Sequence, residues 1–274
     1  MILDSGKNRY TIGKQVADAD HYRLYLCIQE GTGRQCLLQV AKEIKENARL
    51  ERGAYILGEL KTKSDALEAE YALKVNDPLK MLCYDLGFPE VIESFICKEQ
   101  GNRRINILAF RNVEEITNMV PLIGITQKDS LRVDLRTSAW IMGKALKLLG
   151  FSHDVGISVS YIQSNILIYP EQHYVLFFDW SGATIHRNSK VPEKLQRLEV
   201  SEAAKAVITA LGGNYQTRMF PDDGDEAFDR YTGFILRLAD GRINQAYEAH
   251  KQFYTLVDEL WKREFYPFTS HPLN

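Results

Sequence analysis

Two oxygen-bearing side chains stand at a defined separation in the middle of the chain. Asn165 precedes the apolar run Ile166 to Ile168, and Asp179 follows the apolar run Tyr174 to Phe178. The turn residues between the two runs predict a hairpin, which places the amide of Asn165 and the carboxylate of Asp179 at the ends of paired strands. Amide and carboxylate oxygens suit a hard cation such as Mg²⁺. The sequence therefore predicts a metal site with Asn165 and Asp179 as ligands.

The elements that must position these residues follow from the periodicity of the apolar residues. Runs of β-forming residues separated by polar turns predict strands in the first part of the chain. Helical spacing predicts a helix from Ala48 to Lys63, a second helical piece from Ala66 to Val75, and a mainly helical second half. The predicted strands are Tyr10–Val16, Tyr22–Gln29, Gln35–Ala41, Pro89–Cys97 and Ile105–Phe110; the later helices are Arg132–Phe151, Val200–Leu211, Asp225–Leu238 and Ile243–Phe265.

Bulk composition restricts the class of protein. The 274 residues suffice for one large domain or for two lobes that share a cleft. The net charge of −2 argues against nucleic acid or an anionic membrane as the main partner. The four cysteines form no C-x-x-C pair, which argues against zinc and favours buried reduced thiols. No apolar run reaches the length of a signal peptide core or a membrane span, so a cytoplasmic location is expected.

The order and spacing of several motifs resemble the protein kinase-like superfamily over most of the chain. The motifs are Gln39-Val40-Ala41-Lys42, His153 with Gly156-Ile157, Asn165-Ile166-Leu167-Ile168, and Asp179-Trp180-Ser181, the last in a form similar to divergent bacterial members. The resemblance implies an α+β, bilobal fold. Residues 1–110 would form a five-stranded antiparallel N-terminal lobe with one helix, and residues 111–274 a helical C-terminal lobe.

The resemblance also implies ATP with Mg²⁺ as cofactors. Lys42, on the third strand, would direct its ammonium group at the α- and β-phosphates, while Asn165 and Asp179 would hold the metal. The segment from Ala17 to Tyr22 would cover the phosphates. These residues are the candidate nucleotide and metal ligands.

Three departures from the kinase pattern place catalysis in doubt. Ala17, Ala19 and Tyr22 stand where the family has glycines, which allow the backbone to approach phosphates. Ser160 stands where the family has its catalytic Asp, and a hydroxyl is no base near neutral pH without a base of its own. Gly53 stands where the family has the helix Glu that fixes the lysine.

Substitutes for the missing groups remain open from the sequence. Glu51, Glu59 or Glu70 could take the place of the helix carboxylate, and His153 or Asp154 could act as a base beside Ser160. The first hypothesis is nevertheless a pseudokinase that serves as a scaffold or allosteric binding protein for an unidentified protein partner. The alternatives are an active divergent phosphotransferase or nucleotidyltransferase with a non-standard base, and a binding domain with no nucleotide.

Overall fold

A computed structural model describes residues 1–75, 82–186, 190–221, 226–262 and 264–273. The chain divides into two compact units, which are described separately. Unit 1 comprises Met1–Thr117 together with Asp179–Ala183, and unit 2 comprises Asn118–Phe178 together with Thr184–Asn274. The segment that carries Asp179 therefore packs with the amino-terminal part of the chain.

Unit 1 contains an antiparallel sheet with the strand order β1-β2-β3-β4-β6-β5. The strands are β1 (Ile2–Asp4), β2 (Arg9–Asp18), β3 (Tyr22–Gln29), β4 (Gln35–Ala41), β5 (Glu90–Cys97) and β6 (Arg103–Ala109). The sheet has six strands where the sequence predicted five. The additional strand, β1, has three residues, and pairing with β2 rather than a local apolar pattern defines it.

The two faces of this sheet have different environments. On one face, Asn106 donates a hydrogen bond to the carbonyl oxygen of Leu50, which belongs to helix α1 (Asn47–Val75). On the other face, the side chains of β2 to β6 form a buried apolar cluster of their own. The sheet curls around this cluster. Glu93 of β5 accepts hydrogen bonds from Tyr10 of β2 and from Asn8, which connects two strands that are not neighbours in the sheet.

Helix α1 is continuous, whereas the sequence predicted two pieces. The predicted break lies at Ser64 and Asp65, but neither residue is a helix breaker. The Ser64 hydroxyl donates to Glu68 one turn later at 2.8 Å, and Lys61 binds Asp65 at 2.5 Å. These i to i+4 contacts support helix geometry through the junction.

Unit 2 is built mainly from helices. They are α2 (Leu122–Gln127), α3 (Leu135–Asp154), α4 (Ile162–Asn165), α5 (Glu193–Ala210), α6 (Glu226–Ala239) and α7 (Ala246–Leu260). Its strands are β7 (Val120–Pro121), β8 (Leu131–Val133), β9 (Ile157–Ser158), β10 (Ile166–Tyr169), β11 (Tyr174–Phe177), β12 (Thr184–Ile185) and β13 (Ser270–Pro272). The predicted hairpin is present as β10 and β11, with Ile166 opposite Phe177.

The buried core of unit 2 centres on α3. Its apolar positions include Ile141, Met142, Leu146 and Leu149, all at most 1% exposed. Asp134 caps the helix by accepting the backbone N–H of Thr137 at 2.7 Å. Among the described residues, no helix combines the length and apolarity required to cross a bilayer.

Candidate functional site

The carboxylate of Asp179 is bound within unit 1 by two donors. The hydroxyl of Tyr22 donates to Oδ2 at 3.2 Å, and the backbone N–H of Ser181 donates to Oδ1 at 2.8 Å. Tyr22 is only 5% exposed. Burial and the negative charge of Asp179 raise the pKa of the Tyr22 hydroxyl far above its usual value, so this group remains a hydrogen-bond donor.

Gln39 completes this arrangement from the central strand β4. Its side chain is 5% exposed and lies on the face of the sheet that packs against α1. Its amide oxygen accepts from Asn106 at 3.0 Å, and the Gln39 amide also hydrogen-bonds to the hydroxyl of Tyr22. Gln39, Tyr22 and Asp179 thus form a connected polar network with one charged member.

Lys42 lies outside this network. The sequence predicted it on a strand, but β4 ends at Ala41, so that prediction was wrong by one residue. The ammonium group of Lys42 binds Asp18 at 2.5 Å. That contact lowers the pKa of the Asp18 carboxyl, with further help from Arg23. Lys42 is therefore neutralised by an acidic residue of the segment predicted to cover the phosphates.

The segment from Ala17 to Tyr22 is a closed hairpin end. Ala17 belongs to β2 and pairs with Leu24, while the N–H of Ala19 donates to the carbonyl oxygen of Tyr22 at 3.0 Å. These backbone groups are therefore bonded to each other. A loop whose N–H groups bond across a hairpin presents fewer donors to a phosphate.

Helix α1 meets the Asp179 segment at Gly53. A Cβ on Gly53 would lie 3.1 Å from the Cα of Ser181, which is closer than ordinary contact. Four residues earlier on the helix, Arg49 donates to the hydroxyl of Ser181 at 3.3 Å and lies 3.4 Å from Nδ1 of His21. The helix therefore presents a glycine and an arginine to this segment.

Two of the three glutamates considered as substitutes on α1 bind other residues. Glu51 binds Arg104 at 2.8 Å, and Glu70 binds Lys74 at 2.6 Å. Trp180, next to Asp179, is 1% exposed and packs edge-on against Phe88 with ring centroids 6.4 Å apart. Trp180 therefore anchors this segment in the core of unit 1.

Asn165 performs a structural task in unit 2. Its side-chain oxygen accepts the buried backbone N–H of Phe178 at 3.0 Å, and its backbone oxygen accepts the same N–H at 3.1 Å. Asn165 is 5% exposed. It belongs to unit 2 and Asp179 to unit 1, so their joint role as metal ligands remains a prediction.

Ser160 follows β9 and precedes α4, in the position where the resemblance places a catalytic Asp. The neighbouring Ser158, at the end of β9, bonds to Nε2 of His186 at 2.8 Å. The backbone N–H of His186 donates to Gly156 at 2.8 Å, next to the pairing of β9 with β12. This brings one imidazole near the Ser160 segment, and no local sequence signal indicated it.

His153, considered as a substitute base, forms a buried pair with Glu199. Nε2 of His153 lies 2.6 Å from the Glu199 carboxyl, and both side chains are at most 5% exposed. Burial lowers the pKa of His153 to about 4 and raises that of Glu199 to about 9, so both groups are uncharged near neutral pH. Glu199 also accepts a hydrogen bond from the backbone of Val159. The pair therefore connects helix α5 to the segment that contains Val159 and Ser160.

The metal prediction receives no further support from clustering. Within the described ranges, no group of three or more His, Cys, Asp or Glu side chains has the arrangement of a metal site. Of the predicted site residues, the structure brings Tyr22 and Asp179 together and pairs Lys42 with Asp18.

Comparisons with solved structures decide the fold. The chain is similar to the BubR1 kinase domain, with a TM-score of 0.63 and 12% identity over 94% of this chain and 83% of that one. It has a protein kinase-like fold. It is also similar to vaccinia related kinase 3, with a TM-score of 0.58 and 13% identity over 95% and 90% of the two chains. A structure of Rad53 1-466 in complex with AMP-PNP has a TM-score of 0.57 and 15% identity, over 88% and 60%.

No family model and no curated protein matches the sequence. The identities to the solved structures are low, and they establish the kinase-like fold alone. On β4, the buried polar side chain that faces α1 is that of Gln39. The sequence signal for it was present as a single polar residue inside the apolar run from Cys36 to Ala41.

Proposed function

We propose that this chain is a kinase-fold pseudoenzyme that acts by binding a protein partner and does not transfer phosphate. The observation that supports this most is the hydrogen bond from the Tyr22 hydroxyl to Asp179. Tyr22, at a position where the kinase pattern has a glycine, thus donates a hydrogen bond to Asp179, the carboxylate that would hold Mg²⁺.

The described residues fit Mg²⁺ and ATP poorly. Gln39, the buried side chain of β4 that faces α1, has no charge, and Lys42 is paired with Asp18. Both carboxylate oxygens of Asp179 accept protein hydrogen bonds, and the side-chain oxygen of Asn165 accepts the N–H of Phe178. Because a triphosphate needs uncompensated cations and exposed donors, these pairings favour the alternative without a nucleotide.

The base position supports the same proposal. Ser160 carries a hydroxyl where the kinase pattern has the carboxylate that accepts the proton of an incoming hydroxyl. His153, one of the two groups that could have helped it, is uncharged, buried and bonded to Glu199. A scaffolding or allosteric role, with unit 1 stabilised internally rather than by a ligand, follows from these features.

A thermal-shift titration of the purified protein with ATP, with and without Mg²⁺, tests the proposal. A nucleotide at about 100 times its dissociation constant would stabilise the protein by roughly 2.7 kcal/mol, which is several degrees. We expect no shift at ~1 mM ATP under either condition. The Asp179→Asn variant is the matched control for any shift that depends on the metal.

A metal-dependent shift that Asp179→Asn removes would contradict the proposed loss of nucleotide binding, because it would show a working nucleotide site. A shift that persists in Asp179→Asn would also contradict the proposed loss of nucleotide binding, while removing Asp179 from the metal site. Absence of any shift supports it.

A divergent transferase is the second candidate, and one observation favours it. His186 lies 2.8 Å from the hydroxyl of Ser158, which places an imidazole beside the segment that holds Ser160. In this hypothesis His186 acts as the non-standard base. Incubation with ATP labelled in the α- or γ-phosphate would detect transfer of nucleotide or phosphate. Transfer that is lost in His186→Ala would establish this candidate; no transfer would exclude it.

A further inference from the structure

The curled sheet of unit 1 encloses a cavity of about 630 Å³ on the face opposite α1. The face is identified by alternation along β4. Leu38 and Val40 line the cavity, whereas Gln39 between them points towards α1. The volume lies within the range of pockets that hold small organic molecules. None of the residues predicted as nucleotide or metal ligands (Ala17, Ala19, Tyr22, Lys42, Asn165 and Asp179) lines this cavity.

The floor of the cavity is apolar. It is formed by Leu3, Ile12, Tyr25, Leu38, Val40 and Ile105, which come from five different strands. Deeper in the curl, Tyr10, Cys27, Cys36 and Ala109 are packed into the buried cluster, and the bond from Tyr10 to Glu93 ties β2 to β5. The inner end of the cavity is therefore closed by packed side chains.

Two guanidinium groups stand at the other end. Arg23 of β3 lies opposite Val40 of β4. Arg103 is the first residue of β6 and lies opposite Cys97, the last residue of β5. Both arginines line the cavity. Polarity thus changes along the cavity, from aliphatic at the closed end to cationic at the rim.

Arg103 is held in place without being neutralised. Its Nε donates to the backbone oxygen of Gln100 and its Nη2 to the side-chain oxygen of Gln100, both at 2.7 Å. Both acceptors are neutral. Among the described residues no carboxylate forms an ion pair with Arg103, and a fixed guanidinium with donors to spare is suited to a carboxylate.

The acidic side chains near the rim form their contacts with groups other than Arg103. Asp4 accepts the N–H of Gly6 at 2.8 Å and lies 3.9 Å from Arg9. Glu99 accepts the thiol of Cys97 at 3.5 Å. Asp18 lies 3.6 Å from Arg23 but binds Lys42 more closely. Of the two arginines, Arg103 therefore offers the uncompensated charge.

We propose that this cavity binds a small amphipathic anion, with its apolar part against the floor and its carboxylate on Arg103. The aliphatic interior provides binding through burial of apolar surface. The guanidinium at the rim sets the orientation and selects an anionic head group. Arg23 assists as a second cation.

Isothermal titration with decanoate tests this site directly, and decanol and acetate are the matched ligands that each lack one half of the recognition. We expect saturable decanoate binding, and weaker binding of decanol and acetate. Arg103→Met should weaken decanoate binding about tenfold or more, because a charge-assisted hydrogen bond is lost. Arg52→Met, which removes an exposed arginine of α1, should leave binding unchanged.

A second variant addresses the cavity itself. Ile12 is partly buried on its wall, so Ile12→Trp should fill the space and abolish binding without opening the core. Thermal unfolding of each variant confirms that it is folded. The proposal is overturned if decanoate does not bind at ~1 mM, if decanol binds equally well, or if binding survives Ile12→Trp or Arg103→Met.

Discussion

Gly53 of α1 lies directly against the backbone of Ser181. A Cβ added to Gly53 would be 3.1 Å from the Cα of Ser181 and 3.2 Å from its nitrogen. The obstruction is backbone, which cannot rotate away as a flexible side chain can. Helix α1 and the segment with Asp179 therefore approach to a distance at which an added Cβ would crowd the backbone, at the helix position where the resemblance to kinases implies a carboxylate.

Gly53→Ala should lower the free energy of unfolding by about 1–3 kcal/mol, the range for overpacking a filled interior. Gly58→Ala is the matched control on the same helix, because a Cβ at Gly58 meets nothing within 4 Å. The control should be neutral or stabilising by up to ~1 kcal/mol, owing to the higher helix propensity of alanine. Urea unfolding measures both. Equal behaviour of the two variants would contradict the close contact with Ser181.

Tyr22→Phe should remove the hydroxyl bond to Asp179 while keeping the ring. Hydrogen bonds to charged groups contribute about 1.5–3 kcal/mol, so a loss of stability of that order is expected. Tyr55→Phe, at a position 60% exposed on α1, should change stability by less than ~0.5 kcal/mol. If the two variants unfold at the same urea concentration as wild type, Tyr22 does not stabilise the closed network.

Asn165→Ala should destabilise the protein in the absence of any metal. The side-chain oxygen of Asn165 accepts the buried N–H of Phe178, which the backbone oxygen of Asn165 also accepts, so the variant loses one of two shared hydrogen bonds and about 0.5–1.5 kcal/mol of stability. Gln163→Ala, at an exposed position of α4, serves as the control. An Asn165→Ala variant with wild-type stability in excess chelator, but with reduced stabilisation by added Mg²⁺, would instead assign Asn165 to a metal site.

The pair of His153 and Glu199 predicts a dependence of stability on pH. Burial raises the pKa of Glu199 to about 9, so the folded protein retains a proton that the unfolded chain has lost above its ordinary pKa. Stability from this group is therefore full at low pH and falls as pH rises towards 9. His153, with its pKa lowered to about 4, contributes its own change only below its ordinary value near 6.5.

Between pH 6.5 and 9 the change is thus due to Glu199 alone within this pair. Glu199→Gln keeps an acceptor for Val159 and cannot ionise. The difference in unfolding free energy between wild type and Glu199→Gln should shift against wild type by at most about 1.4 kcal/mol per pH unit across this interval. Denaturant unfolding at several pH values measures it. A constant difference would show that Glu199 is already ionised at pH 6.5.

The β10–β11 hairpin could be predicted because it depends on a local pattern, and the kinase-like fold because the order and spacing of several motifs resemble that superfamily. Apolar runs and turn residues identify strands of four or more residues, and helical spacing identifies α3. The short strands β1 and β12, with three and two residues, are defined only by their pairing, β1 with the neighbouring β2 and β12 with the distant β9. Their sequences contain no periodicity that could have revealed them.

Gln39 shows the corresponding limit for the candidate site. The strand from Gln35 to Ala41 is apolar on both faces, so alternation could not show which side chains point to α1. Lys42, which directly follows the strand, was predicted as the nucleotide-binding lysine from its motif, and that role stays a prediction. The hydrogen bond from Asn106, which also bonds to Leu50 of α1, identifies Gln39 as a side chain that faces the helix.

The bond between Asn106 and Gln39 also bears on how this chain could evolve. Gln39 accepts from the amide nitrogen of Asn106, whereas a lysine at position 39 has donors only and would face that nitrogen without an acceptor. A carboxylate at position 53 would meet the backbone of Ser181. Each of these two substitutions is therefore unfavourable on its own, and tolerating either would require compensating changes among its neighbours.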